Sequence, residues 1–171
     1  MRTDSKLMEM LTGYAASHQH PVNVAVHMIG IPTIMLGVLI PLSWTTIAVN
    51  DFSITPAQVV VVAFFLFYLT LDVLFAAVFL VFGFALTVIA AWIAALPLAV
   101  SGTVAAIAFF GGYAAQFVGH AIEKSMPVLI GHPIQANLAA PFFTVVELFK
   151  ILGLRDELFN EVQKQIALLE K

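Results

Sequence analysis

Apolar residues fill this chain in long runs between Met10 and Ile122, a stretch in which only Asp51 and Asp72 are charged. Because a helix needs about 20 apolar residues to cross a bilayer, the runs predict four membrane spans. Their expected bounds are residues 21–48, 57–76, 77–97 and 102–124. The run from 57 to 97 is long enough for two spans, but the turn between them is poorly marked, and Asp72 and Gly83 are the candidates for it.

Both ends of the chain have amphipathic patterns. Apolar residues recur at helical spacing between residues 5 and 17, and a moderately apolar segment from 141 to 152 is too short to cross a membrane. A last pattern alternates with charged residues and contains Leu158, Val162, Ile166 and Leu169. Such patterns are typical of helices that lie at a membrane interface. The sequence therefore predicts one all-α domain over residues 1–171, an integral membrane four-helix bundle with amphipathic helices at both termini and interfacial helices over 141–171.

The composition agrees with membrane insertion: 61% of residues are hydrophobic, 10% are charged, and the mean hydropathy is +1.02. Soluble domains are usually about 45–50% apolar and about 25% charged. The net charge of -3 argues against nucleic acid as a partner. The absence of cysteine excludes disulfides and thiol chemistry.

Basic residues indicate the orientation in the membrane. All seven Lys and Arg lie before Leu7 or after Glu123. By the positive-inside tendency, both termini are expected in the cytoplasm, which requires an even number of spans. The membrane would be the inner membrane of a bacterium or the endoplasmic reticulum of a eukaryote.

Histidines are the polar exceptions in the apolar block. His18, His20 and His27 lie at the start of the first predicted span, and His120 lies near the end of the fourth. The predicted topology brings them to the same cytoplasmic depth, and ionisable residues in such segments are usually functional. Glu123 shares a helical face with His120. Imidazoles with a carboxylate suit ferrous iron that keeps open positions, with zinc as the main competitor.

Spacing limits which histidines can share one ion. His20 and His27 are seven residues apart, about 10.5 Å along a straight helix, so both reach one ion only if the backbone turns near Pro21. We expect that turn, and we expect one of His18 and His20 not to be a ligand. Asn23 lies four residues before His27, and Gln116 lies four residues before His120. At this spacing either side-chain amide could fix the orientation of its histidine ring.

Other functions remain open on these residues alone. A single histidine within a membrane is often a hydrogen-bonded helix contact. A non-enzymatic binding or transport protein could use its histidines for proton relay, for zinc or for haem, with His27 facing His120. A structural protein is a third possibility, and metal analysis would separate the three.

Two motifs resemble a known family. Tyr14-x3-His18-x-His20-Pro21-x-Asn23-x3-His27 and Gln116-Phe117-x-Gly119-His120-x2-Glu123-Lys124 together resemble the small membrane family of 2-hydroxy fatty-acid dioxygenases, typified by the yeast enzyme of fatty-acid α-oxidation. The resemblance implies an Fe(II)-dependent dioxygenase. It also implies catalytic and iron-binding roles for four histidines, with Glu123 as a further metal ligand. These histidines are His18, His20, His27 and His120.

The implied reaction balances without a reductant. Converting a 2-hydroxy acid into carbon dioxide and the acid one carbon shorter removes four electrons, which one dioxygen accepts. The substrate carboxylate and 2-hydroxyl could chelate iron, so the protein must leave several positions open. Lys124 is expected to attract the carboxylate, and Tyr14 joins Asn23 and Gln116 as a residue supporting the ligands. The expected partners are therefore a 2-hydroxy fatty acid, dioxygen and the lipid bilayer.

Overall fold

The computed structural model describes residues 6–169, which are helical apart from one short hairpin and the connecting turns. The described residues form two compact units, one of residues 29–115 and one of residues 6–28 with 116–169. The elements in chain order are α1 Lys6–Ala16, α2 Pro21–Leu42, β1 Ile47–Val49, β2 Phe52–Ile54, α3 Pro56–Leu69, α4 Val73–Ala94, α5 Leu98–Glu123, α6 Val128–Gly131, α7 Pro133–Ile151 and α8 Asp156–Leu169.

Within the unit of residues 29–115, α3 and α4 pack against each other as a helical hairpin. The side chain of Asp72 accepts hydrogen bonds from the amides of Leu74 and Phe75, both at 3.0 Å, and so caps α4. Because a carboxylate there satisfies amides that have no helical partner, the break falls at Asp72. The apolar pattern alone predicts it after residue 76. As a result α3 has 14 residues, about 21 Å of helix, which is shorter than the roughly 30 Å apolar core of a bilayer.

Helices α2 and α5 approach closely in the same unit. A Cβ atom at Gly37 would lie 2.6 Å from the backbone nitrogen of Phe109, so only glycine permits this packing. Towards the hairpin, Trp44 Nε1 donates to Ser101 Oγ at 3.2 Å. The connection between the first two predicted spans forms antiparallel strands β1 and β2, joined by a turn in which Asn50 has a φ of 53°. The sequence predicts a polar connection there but not the strands.

In the other unit, α1 packs against α7 and α8. The predicted apolar stripes face inwards, since Leu7, Leu11 and Tyr14 of α1 are buried. The same is true of Leu158, Val162 and Ile166 in α8, whereas the side chain of Leu169 lies outside the described residues. Helix α7 begins at Pro133, earlier than the predicted start of the interfacial segment at residue 141.

Four helices are long and apolar enough to cross a membrane by length and composition, namely α2, α4, α5 and α7. The prediction of an all-α membrane protein is therefore confirmed. In the most apolar 18-residue stretch of α7, 56% of the residues are buried in the protein, whereas the corresponding fraction in α5 is 17%. Its neighbour α1 also carries Lys6 and Glu9. Because a crossing α7 would draw this charged helix towards lipid, we still expect α7 to lie at the interface.

Cysteine labelling tests this orientation, since the chain contains no cysteine. Asp51→Cys, His132→Cys and Lys164→Cys are expected to react with a membrane-impermeant maleimide from two sides. The label at 51 should react from the side opposite to the other two, because the three spans α3, α4 and α5 separate the hairpin from residues 132 and 164 while α7 stays on one side. If residues 132 and 164 react from opposite sides, α7 crosses the membrane and the predicted topology is wrong.

Candidate metal centre

Three histidines meet in the unit formed by residues 6–28 and 116–169. His18 follows α1, His27 lies in the second turn of α2, and His120 lies in the last turn of α5. The ring centroids of His18 and His27 are 4.3 Å apart, and His120 lies 4.8 Å from the first and 4.9 Å from the second. One ring nitrogen from each lies within 4.8 Å of the others, and all three residues are buried. This group could hold a single metal ion.

Each of the three rings uses its Nδ1 atom in a hydrogen bond within the protein. The Nδ1 of His18 is 2.7 Å from the carbonyl oxygen of Tyr14, and that of His27 is 3.0 Å from the carbonyl oxygen of Asn23. The Nδ1 of His120 is 2.9 Å from Ser125 Oγ. A carbonyl can only accept, so Nδ1 carries the proton in His18 and His27. This leaves each Nε2 with a free lone pair, the usual state of a metal-binding histidine.

The surroundings of His18 fit a cation. Its Nε2 is buried and has no hydrogen-bond partner among the described residues, which is costly unless something else binds the lone pair. Burial, with a smaller contribution from the neighbouring His27, lowers the pKa of His18 to about 3 despite its hydrogen bond to the Tyr14 carbonyl. The imidazole is therefore neutral near pH 7, as metal binding requires.

Aromatic rings hold His18 in place from the side of the protein core. The Tyr14 ring stacks on it with a centroid distance of 4.1 Å and an interplanar angle of 3°. Phe143 of α7 lies 4.3 Å from Tyr14 and 5.5 Å from His18, again between centroids. Burial also raises the pKa of the Tyr14 phenol, so this ring stays neutral. Tyr14 thus supports His18 through both its ring and its carbonyl.

The structure does not bring His20 into this group. Its side chain is exposed, and its Nδ1 accepts a hydrogen bond from the amide of Val22 at 3.2 Å. The chain does turn before Pro21, as expected, because α1 ends at Ala16 and α2 begins at Pro21. That turn directs His18 towards the other two histidines, so His18 is the member of the predicted pair that joins the group.

Glu123 lies beside the group but faces the backbone. Its Oε1 accepts the amide of Gln19 at 2.6 Å and that of His20 at 3.1 Å, and its Oε2 accepts from Asn23 Nδ2. Among the described residues, Glu123 does not belong to the group of His18, His27 and His120, whose ligand atoms lie within 4.8 Å of one another. Its carboxylate instead fixes the turn between α1 and α2, which carries His18.

The predicted supporting amides differ in what they do. Asn23 orients His27 through its backbone carbonyl, while its side chain donates to the Ser17 carbonyl at 3.3 Å and to Glu123. Its Oδ1 faces Gly119, where a Cβ would not fit. The buried Nε2 of Gln116 has no hydrogen-bond partner within residues 6–169. Lys124 is exposed and has a φ of 59°.

Sequence reasoning missed two residues that contact the histidines, Phe143 and Ser125. No spacing rule links Phe143 to His18, because the two are far apart in the chain. Ser125 reaches His120 only through a backbone reversal after α5, for which the usual signal, a glycine, is missing.

The close packing of the rings restricts the chemistry of the site. Bis-histidine haem needs a flat macrocycle between two axial imidazoles. The centroids of His27 and His120 are 4.9 Å apart and His18 touches both rings, so a porphyrin does not fit between them. A single ion bound by neutral nitrogens does fit.

The helices and the site thus define an integral membrane protein with a buried three-histidine group suited to a metal ion. A family model described as 2-hydroxy-palmitic acid dioxygenase Mpo1-like matches residues 5–152. The chain belongs to this family. The matched region contains all three histidines and α7, and ends before α8. The comparisons with curated proteins and with solved structures gave no match.

Proposed function

We propose that this protein is an Fe(II)-dependent dioxygenase that shortens 2-hydroxy fatty acids by one carbon. The observation that carries the proposal is the buried group of His18, His27 and His120, in which each Nδ1 is hydrogen-bonded within the protein and each ring leaves Nε2 for a metal. The family description supplies the substrate class, since it names a 2-hydroxy-palmitic acid dioxygenase.

The proposed reaction, and not the ligand set, favours iron over zinc. Both ions accept imidazole, but zinc has no redox chemistry. Iron would supply the activation of dioxygen, with open positions for substrate and oxygen. The protein residues have a simpler task, because the three imidazoles would bind the ion while the rings of Tyr14 and Phe143 pack against the buried His18.

The neutral ligand set also supports an acidic substrate. The three imidazoles bring no negative charge, and the carboxylate of Glu123 is used by Gln19, His20 and Asn23. A 2-hydroxy acid brings its own carboxylate, and its hydroxyl supplies a second oxygen. The products are carbon dioxide, water and the acid one carbon shorter, and one dioxygen accepts all four electrons.

Lys124 is the residue that we assign to the substrate carboxylate. It occupies the left-handed position after α5 with a φ of 59°, where glycine is favoured. The corresponding turn after α7 does use a glycine, Gly153, with a φ of 65°. A lysine kept in this costly conformation is consistent with a role for its side chain near the substrate head group.

The acyl tail would remain in the membrane. Burying a methylene gains about 0.8 kcal/mol relative to water, but a tail already in lipid gains little of this. We therefore propose that the shape of the lipid-facing helices, and not hydrophobicity, selects the chain length.

Reconstitution tests the proposal directly. Metal-free protein in lipid nanodiscs is loaded with Fe(II) without oxygen, mixed with 2-hydroxypalmitic acid, and exposed to oxygen. We expect mass spectrometry to detect the fatty acid one carbon shorter, in an amount equal to the carbon dioxide released. Zinc-loaded protein and palmitic acid without the hydroxyl are the controls, and neither should give product. Iron-loaded protein that leaves the hydroxy acid unchanged would contradict the proposal.

A further inference from the structure

A chain of hydrogen bonds runs from His120 through Ser125 to the backbone of Ser17. His120 Nδ1 lies 2.9 Å from Ser125 Oγ, and Ser125 Oγ lies 3.4 Å from the Ser17 carbonyl oxygen. The carbonyl can only accept, so the hydroxyl hydrogen points towards it and the hydroxyl oxygen accepts the Nδ1 proton of His120. The direction of this chain leaves Nε2 of His120 unprotonated.

The backbone turn after α5 places Ser125 at His120. Lys124 N donates to Ala121 O at 3.3 Å, and Ser125 N donates to His120 O at 3.1 Å. With the positive φ of Lys124, these two bonds form a Schellman motif. The motif folds Ser125 back over the last turn of the helix, so that both its amide and its hydroxyl contact His120.

Ser125 differs from the partners of the other two histidines. The Nδ1 atoms of His18 and His27 bond to backbone carbonyls, those of Tyr14 and Asn23. No side-chain substitution removes a carbonyl. Within the described structure, His120 is thus the member of the group whose protonated nitrogen depends on a replaceable side chain.

The same hydroxyl also connects the two segments that carry His18 and His120. The Ser17 carbonyl immediately precedes His18, and it accepts from Asn23 Nδ2 at 3.3 Å as well as from Ser125. The end of α5 is therefore joined to the turn before α2 at the level of the histidines. Loss of the hydroxyl would free the His120 ring and remove one of the two donors to this carbonyl.

We propose that Ser125 is a positioning residue that keeps Nε2 of His120 available and aimed at the metal. This inference rests on the metal site of the proposed function, but not on the identity of the substrate. Residues that hydrogen-bond to metal-binding side chains typically contribute about 10–100-fold to metal affinity. Ser125→Ala should reduce the affinity by that factor, whereas Ser125→Thr, which keeps the hydroxyl, should restore most of it.

The test is an anaerobic titration of the full-length protein with Co(II), read by its visible absorption. Ser43→Ala is the matched control, because Ser43 also bonds a carbonyl, that of Leu39 at 2.8 Å, and it should bind like the unmodified protein. A second readout is ¹⁵N NMR of labelled histidine without metal, in which Ser125→Ala should move the His120 proton from Nδ1 towards Nε2.

Two outcomes would overturn the inference, and they are distinguishable. If Ser125→Ala binds cobalt with unchanged affinity and spectrum, Ser125 has no positioning role while the metal site stands. If the unmodified protein binds neither cobalt nor iron, the metal site itself is wrong, and the proposed function fails with it.

Discussion

Alanine at any one of His18, His27 and His120 is expected to abolish metal binding and oxygen-dependent shortening of 2-hydroxy fatty acids. In the proposed site each ring would supply one of three ligand nitrogens, and among the described residues no carboxylate belongs to this group. Loss of a ligand should cost more than the roughly 10–100-fold that loss of a supporting residue costs. Metal content by mass spectrometry and product formation after iron loading measure the two effects separately.

His20→Ala is the matched control for this experiment. His20 is two residues from His18 and lies in the same turn, but its side chain is exposed and bonds only the amide of Val22 among the contacts described here. We expect this variant to keep its metal and most of its turnover. If His20→Ala loses metal as completely as His18→Ala, the proposed ligand set is wrong.

The sequence contained enough information to predict the class of fold and the convergence of the histidines. Length and hydropathy predict the membrane helices, because burial in lipid requires about 20 apolar residues at a time. Once an even number of spans is assumed, His27 and His120 must share one membrane depth. That argument needs no distances between side chains, which explains why it succeeds without a structure.

The choice between His18 and His20 could not be predicted, since residues 17–20 are not helical. Helical or strand periodicity fixes the direction of a side chain, but an irregular turn does not. The contacts of Glu123 show why the turn has this form, because its carboxylate accepts the amides of Gln19 and His20. These contacts join residues more than 100 positions apart, which local patterns cannot reveal.

The boundary between α3 and α4 shows a different limit. The apolar run continues across Asp72, so hydropathy alone divides it by length. The structure divides it at a single capping carboxylate, which accepts the amides of Leu74 and Phe75. A charged residue in an apolar run was the correct signal, and it marks a helix start.

Glu123 provides the second prediction with a large expected effect. As a metal ligand, which the sequence suggests, it would lose its function on changing to either alanine or glutamine. In the structure it accepts three hydrogen bonds, from Gln19, His20 and Asn23. Glu123→Ala removes all of them and should lower metal affinity about 10–100-fold by releasing the turn that carries His18.

Glu123→Gln separates the two roles, because the glutamine oxygen can still accept the amides of Gln19 and His20. Only the bond to Asn23 is lost, which should cost about 1–3 kcal/mol of stability. We therefore expect glutamine to keep the metal at nearly the original affinity with a lower unfolding temperature. Glu157→Ala, at an exposed position of α8, is the control and should change neither quantity. Equal loss of metal in the glutamine and alanine variants, with stability unchanged, would instead make Glu123 a ligand, since an amide is a poorer metal donor than a carboxylate.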